Sequence, residues 1–196
     1  MRAQTAAILT TAPALRREVD RAIRDAASTP LPNNYWVLPG RLLAGEHPFG
    51  ANPLEAHERL TRLTGAGIDA FLDLTEVGEM PGYRRLLPRV NEYRRFAIAD
   101  GSVPLQAREM QAIQAHLAAW LSEDRRVYVH CRAGIGRTGL VVGCFLAEIG
   151  FRGDRALRTL NALWRHCARA ESWPRVPQTE KQASYLVDWS DRRPAD

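Results

Sequence analysis

The chain has 196 residues, 45% of them hydrophobic, with a formal net charge of +5; that length suits one sizeable core rather than two, and the charge favours anionic partners or substrates. Every basic residue except Lys181 is an arginine, and the arginines are scattered among carboxylates instead of clustered with aromatics, which argues against a nucleic-acid partner. No apolar run reaches the about 18 residues that span a bilayer, and the N-terminal MRAQTAAILTTAPALRREVD is too short and interrupted in its apolar stretch for a signal peptide, so a cytoplasmic protein without a membrane partner is expected.

In chain order, Leu15, Val19, Ala22, Ile23 and Ala26 follow helical spacing, and STPLPNN ends that helix with two prolines. Residues 1–33 therefore read as an N-terminal helical extension and linker, with 34–190 as the main domain and 191–196 as a tail. NYWVLPGRLLAGE reads as two strand-like runs bent at Pro39-Gly40. Leu54, Leu60 and Leu63 mark a helix ended by Gly65 and Gly67, followed by a buried strand in IDAFLDL. RRFAIAD is expected to be a second core strand, LQAREMQAIQAHLAAWLSED a helix with Met110, Ile113, Leu117, Trp120 and Leu121 on one face, and RVYVH a third strand. TGLVVGCFLAEIG is apolar nearly all round, as a helix buried behind a sheet would be, and amphipathic helices are expected over Asp154 to Ala168 and Gln178 to Trp189. This alternation predicts an α/β domain with a central, mostly parallel sheet flanked by helices.

The segment HCRAGIGRTG, His130 to Gly139, falls where a core strand ends and the buried helix begins, the place where open α/β sheets bind ligands. Gly134 and Gly136 allow consecutive backbone N–H groups to turn inward as a nest for a tetrahedral anion, and the helix N-terminus adds positive dipole. Cys131 at the base of such a nest is placed to act as a thiolate nucleophile. Arg137, six residues on, can hold two phosphate oxygens in its planar fork, which lysine cannot. A lone cysteine would ordinarily be a small buried hydrophobe, but His-Cys-x-x-Gly-x-x-Arg-Thr fixes five positions at once. Cys144 and Cys167 are expected to be packing residues. The three cysteines lack CxxC spacing and His47, His57, His116 and His166 lack ligand spacing, so no metal is expected.

Cys-x5-Arg embedded in HCRAGIGRTG resembles the signature loop of the protein tyrosine phosphatase superfamily, and the likeness covers roughly residues 35–190. The absence of a Trp-Pro-Asp triplet points away from the classical enzymes and toward the dual-specificity type. ADG in AIADGSVPL and the segment LTEVGEMPGYRRLLP are most similar to kinase-associated phosphatase-like members. The resemblance implies Asp100, 31 positions before Cys131, as general acid, where the bare Asp-Gly pair would be read as a turn. It also implies His130 as a residue that holds the loop and tunes the thiolate, and Thr138 as a hydroxyl donor to the sulfur, with a helix cap as its alternative reading. Arg132, Ala133, Gly134, Ile135 and Gly136 would surround the phosphate. PQTEKQASYL resembles the family's Gln-Thr-x-x-Gln segment, which implies Gln178 and Gln182 as residues that position water.

The implied reaction is phosphomonoester hydrolysis through a phosphocysteine, without metal or organic cofactor, on a phosphorylated protein: phosphotyrosine foremost, with phosphoserine and phosphothreonine open. Ile135, at a loop position that is often basic in lipid-directed relatives, tilts the choice toward phosphoprotein. An inositol-phosphate or phosphoinositide phosphatase stays open as the enzyme alternative, and a pseudophosphatase that only binds phosphorylated partners as the alternative of another class.

Overall fold

The computed structural model describes residues 2–192, with side chains over 12–191. Five short strands make one sheet: β1 (Asn34–Leu38), β2 (Leu42–Gly45), β3 (Ala70–Asp73), β4 (Glu92–Arg95) and β5 (Val127–His130), in the order β1-β2-β5-β3-β4. β1 and β2 form an antiparallel hairpin, and Gly40 at its turn takes φ +73, a left-handed conformation open to glycine. The other three pairings are parallel, so the expected α/β class with a mostly parallel sheet is the one observed.

Side-chain alternation along the three inner strands sorts the core into two layers. Leu42, Ala44, Ala70, Leu72, Val127 and Val129 face the larger layer, built from α1 (Arg2–Arg24), α3 (Ala107–Ser122), α4 (Gly136–Glu148), α5 (Asp154–Trp164) and α6 (Glu180–Val187). Leu43, Phe71 and Tyr128 face the smaller one, where α2 (Pro53–Gly65) contributes Leu60 and Leu63 and the excursion between β3 and β4 contributes Tyr83 and Leu87. α4 sits in the larger layer with Leu140 through Ala147 all buried, which explains its apolar circumference.

Several expectations need correction. RRFAIAD is not a core strand: β4 ends at Arg95, lies at the sheet edge and is half exposed. Its continuation still pairs with the end of β3, through Phe96 N to Asp73 O (2.9 Å) and Ile98 N to Leu74 O (3.1 Å). Leu54 is 69% exposed, because Asn52 caps the helix and Pro53 starts it, leaving Leu54 on the first turn outside the apolar stripe. The helix expected to run to Ala168 stops at Trp164, and a 3-10 turn follows over Ala168–Glu171. The last expected helix starts at Glu180, not Gln178, because Thr179 caps it, and a short α7 (Trp189–Arg192) follows Asp188.

The N-terminal helix is joined to the core. Ala12, Leu15, Val19 and Ala22 are buried against it, and Arg16 donates to the Ile149 carbonyl at the end of α4 (2.9 Å).

Candidate active site

The segment Cys131–Ile135 leaves β5 and enters α4 at Gly136. Cys131 is 2% exposed. Its loop rests on the end of β2: a Cβ at Gly134 would lie 2.6 Å from the Gly45 carbonyl carbon, and Gly134 has φ +77. His47 N donates to the Arg132 carbonyl (3.0 Å), and Thr138 Oγ1 donates to the Gly45 carbonyl (3.4 Å). Thr138 thus ties helix to strand. Ile135 is buried at the entry to α4, Ala133 is half-buried against the larger layer, and Arg132 is exposed.

Arg137 is buried to 1% exposure in the first turn of α4. Both terminal nitrogens donate to Glu79, Nη1 to Oε2 at 2.6 Å and Nη2 to Oε1 at 2.5 Å, and Nη1 also donates to the Ile98 carbonyl at 3.1 Å. Nη2 lies 3.0 Å from Asp100 Oδ1. The remaining donor, Nε, is buried and has no acceptor among the described residues. Burial opposes the guanidinium charge, but the Glu79 hydrogen bonds and the nearby Cys131 outweigh it and raise the Arg137 pKa. Arg137 in turn holds the Glu79 carboxyl below its ordinary range, against the smaller effect of burial.

Asp100 lies beyond the end of β4 in a turn closed by Ser102 N to Ala99 O (3.0 Å), with Gly101 at φ +66. Its side chain is 55% exposed, and Oδ1 also accepts from Gly101 N (3.1 Å). The first turn of α6 holds this turn from the other side: Thr179 Oγ1 donates to the Gly101 carbonyl (3.3 Å) and Gln182 Nε2 to the Ser102 carbonyl (2.9 Å). The two glutamines thus part company. Gln178 is exposed, and both amides flank Gly136: an added Cβ there would stand 3.0 Å from Gln182 Oε1 and 3.1 Å from Gln178 Oε1. Gln182 is fully buried, its Oε1 accepting from Thr179 N (3.2 Å) and its Nε2 donating to the Ser102 carbonyl.

Behind the cysteine, Tyr83 Oη lies 2.5 Å from His130 Nε2, and His130 Nδ1 lies 3.2 Å from the Cys131 carbonyl. Burial lowers the His130 pKa, which keeps the ring neutral; with Nδ1–H facing the carbonyl, Nε2 accepts from the tyrosine. His47 stacks edge-on to His130 and Tyr83, and burial lowers its pKa to about 3.

Two carboxylates organise this face, Asp73, which sequence reasoning did not single out, and Glu79, which it reached only as part of the segment LTEVGEMPGYRRLLP and without a role. Asp73, fully buried at the end of β3, accepts from Thr75 N and Oγ1 (2.9 and 2.7 Å), Tyr93 Oη (2.6 Å) and Arg95 (2.7 Å to Nη2). Burial alone would raise its pKa; His130 and the donors from Tyr93 and Thr75 reverse that and hold it low. Cys144 and Cys167 are buried, and burial pushes both thiols up, Cys167 to about 11, as suits packing residues.

The glycine loop between a central strand and a buried helix, with a cysteine at its base and a carboxylate-held arginine at its far end, defines the cysteine-phosphatase class of fold. Residues 32–184 match the family model PTP-SAK, described as a Swiss Army Knife protein, DSP-PTPase phosphatase domain, and the chain belongs to that family. It is 39% identical over 106 residues to 067L, a candidate tyrosine phosphatase of Invertebrate iridescent virus 3, covering 50% of this chain and 41% of the viral one. It is 30% identical over 129 residues to the dual specificity protein phosphatase CDC14AB of Danio rerio, covering 58% of this chain and 19% of that protein. The chain therefore spans less than half the length of these relatives. Among solved structures, kinase associated phosphatase superposes with a TM-score of 0.65 at 23% identity, covering 77% of this chain and 86% of that one, which establishes the shared fold.

Proposed function

We propose that the chain hydrolyses phosphomonoesters of proteins, phosphotyrosine foremost and phosphoserine or phosphothreonine besides, through a phosphocysteine. The observation that carries this reading is the buried Nε–H of Arg137, a charged donor beside Cys131 for which the described residues supply no acceptor. A donor of that kind is costly to leave unpaired, and a tetrahedral oxyanion seated in the loop would satisfy it.

In the first step the Cys131 thiolate attacks phosphorus; the S–P bond forms as the bond to the leaving oxygen breaks, and Asp100 gives that oxygen its proton. Arg137 and the loop amides offset the charge on the equatorial oxygens. In the second step a water attacks phosphorus, its proton passes to Asp100, and the S–P bond breaks to return the thiolate and free phosphate. Gln178 orients that water, a reading supported by its exposure beside Gly136. Asp100 contacts Arg137 Nη2 in the structure and must yield that donor when phosphate arrives.

Two details favour protein over inositol headgroups. Ile135 is buried and offers no charge to the ligand, and Arg132 is the one exposed cation within the loop itself. The test is turnover of a phosphotyrosine peptide, a phosphothreonine peptide and soluble inositol phosphates, with Cys131→Ser as blank. We expect the phosphotyrosine peptide to be fastest and Cys131→Ser to lose at least about a thousandfold while still binding vanadate. Equal turnover by Cys131→Ser would overturn the nucleophile, faster inositol-phosphate turnover would overturn the substrate class, and vanadate binding without any wild-type turnover would mark a phospho-binding protein.

A further inference from the structure

From the contacts of α6 we infer that Gln182 is a positioning residue for the Asp100 turn, and that it acts on protonation of the leaving group rather than on the attacking water. The inference rests on the reading of Asp100 as general acid given above.

The carboxamide of Gln182 is fully buried and both of its ends are occupied within the protein. Oε1 accepts from Thr179 N, closing a reciprocal cap in which Thr179 Oγ1 accepts from Gln182 N (3.3 Å). Nε2 donates to the Ser102 carbonyl at 2.9 Å. These two bonds use one acceptor position and one donor of the amide and fix its plane between the cap and the Ser102 carbonyl.

What it holds is the segment that carries Asp100. That turn is anchored upstream where Ile98 N donates to the Leu74 carbonyl (3.1 Å) and the Ile98 carbonyl accepts from Arg137. Downstream its tethers come from α6: Thr179 Oγ1 on Gly101 O, the Lys181 ammonium 3.5 Å from Ser102 Oγ, and Gln182 on Ser102 O. Lys181 is exposed and Thr179 half-buried, so Gln182 supplies the one tether that is wholly removed from water. The carboxylate itself is more than half exposed and, among the described residues, accepts from Gly101 N and Arg137, so its position follows that of the turn backbone. A misplacement of about 1 Å at a reacting group costs up to about a hundredfold in rate.

The variant that separates this role from a structural one is Gln182→Glu. Glutamate is a natural third residue of such a cap and keeps the acceptor for Thr179 N, while it replaces the donor to Ser102 O with a second acceptor. The measurement is kcat and KM for a series of phosphate esters of rising leaving-group pKa, from activated aryl to alkyl, together with stopped-flow bursts. With an activated aryl ester, whose leaving group departs without a proton, we expect the rate of the burst to stay within about twofold of wild type; with an alkyl ester we expect kcat to fall by about tenfold or more. Rescue by raising the acidity of the leaving group is an effect that general destabilisation does not produce.

Three outcomes would overturn the inference. A loss equal across the series points to the phosphate site or to the fold. A first step as fast as wild type for every ester in the series, with only the breakdown of the intermediate slowed, returns Gln182 to the water. No loss with alkyl esters shows that the tether is dispensable. Full turnover by Cys131→Ser would instead remove the phosphocysteine reading, and the leaving-group series would not by itself produce that result.

Discussion

The loop from Cys131 to Gly136 and the turn from Ala99 to Ser102 both reach Arg137, yet they are built on opposite plans. The cysteine loop is seated over its length: Gly134 lies on the Gly45 backbone, the Arg132 carbonyl is bound by His47 N, and Arg132 alone among its residues is exposed. The Asp100 turn is hung from its ends, with its carboxylate in solvent and its tethers split between β3 and α6. A nucleophile that must meet phosphorus in line gains from a rigid seat, whereas an acid that must first release Arg137 gains from a support that yields slightly. If this contrast is real, substitutions of equal size should cost more in the loop than in the turn.

The largest effect is expected at Gly134. An alanine Cβ would stand 2.6 Å from the carbonyl carbon and 2.8 Å from the oxygen of Gly45, both backbone atoms of a central strand, at φ +77. Neither the strand nor the loop can move aside without losing sheet pairing, so Gly134→Ala should destabilise the fold by about 3 kcal/mol and abolish turnover. A urea midpoint and an aryl-phosphatase assay check both. A variant with wild-type midpoint and activity would show that the loop is not seated as described.

The contrast also explains which residues could be read from the sequence. Cys131, Gly134 and Arg137 lie within one short segment, so spacing alone brings them together, and the strand-to-helix context follows from the apolar runs on either side. Glu79 and Asp73 were not legible in that way, because their partners, Arg137 and Arg95, are 58 and 22 residues distant. One signal was available: a carboxylate within IDAFLDL, inside a run otherwise read as buried, needs partners wherever the strand is placed. The exposed β4 was missed because an edge strand carries Glu92, Arg94 and Arg95 on positions that a central strand would fill with apolar residues. The difference between Gln178 and Gln182 depends on the cap at Thr179 and on a contact to Ser102 eighty residues away, which helical spacing cannot distinguish.

Glu79 sharpens the comparison at the arginine that joins the two regions. Its folded pKa lies below its unfolded value, first because of the hydrogen bonds from Arg137, so its contribution to stability is present above the unfolded carboxyl pKa and is lost as pH falls through the folded value. Glu79→Gln should cost about 2 kcal/mol near neutral pH, by leaving a buried guanidinium short of charge, and that deficit should shrink on acidification. Asp73, also held low, keeps an acid limb in both proteins, so the readout is the difference between the two stability curves. A deficit constant from pH 7 to pH 3 would break the assignment of Glu79 as the counter-charge.

The smallest effect is expected at Gly101, where φ is +66 as at Gly134 but nothing lies within 4 Å of an added Cβ. The two glycines share the conformational demand and differ in surroundings, so Gly101→Ala isolates the backbone cost of a left-handed residue, about 1 kcal/mol. Because the turn is tethered at Ile98, at the Gly101 carbonyl and at Ser102 while the space around an added methyl group is open, it can adjust around that group. We expect the burst rate on an activated aryl ester to stay within about twofold and kcat on an alkyl ester to fall by about three- to fivefold, as the Asp100 carboxylate shifts against the leaving oxygen. If Gly101→Ala were as damaging to stability as Gly134→Ala, the turn would have to be as tightly seated as the cysteine loop, and the division between a fixed nucleophile and a yielding acid would be lost.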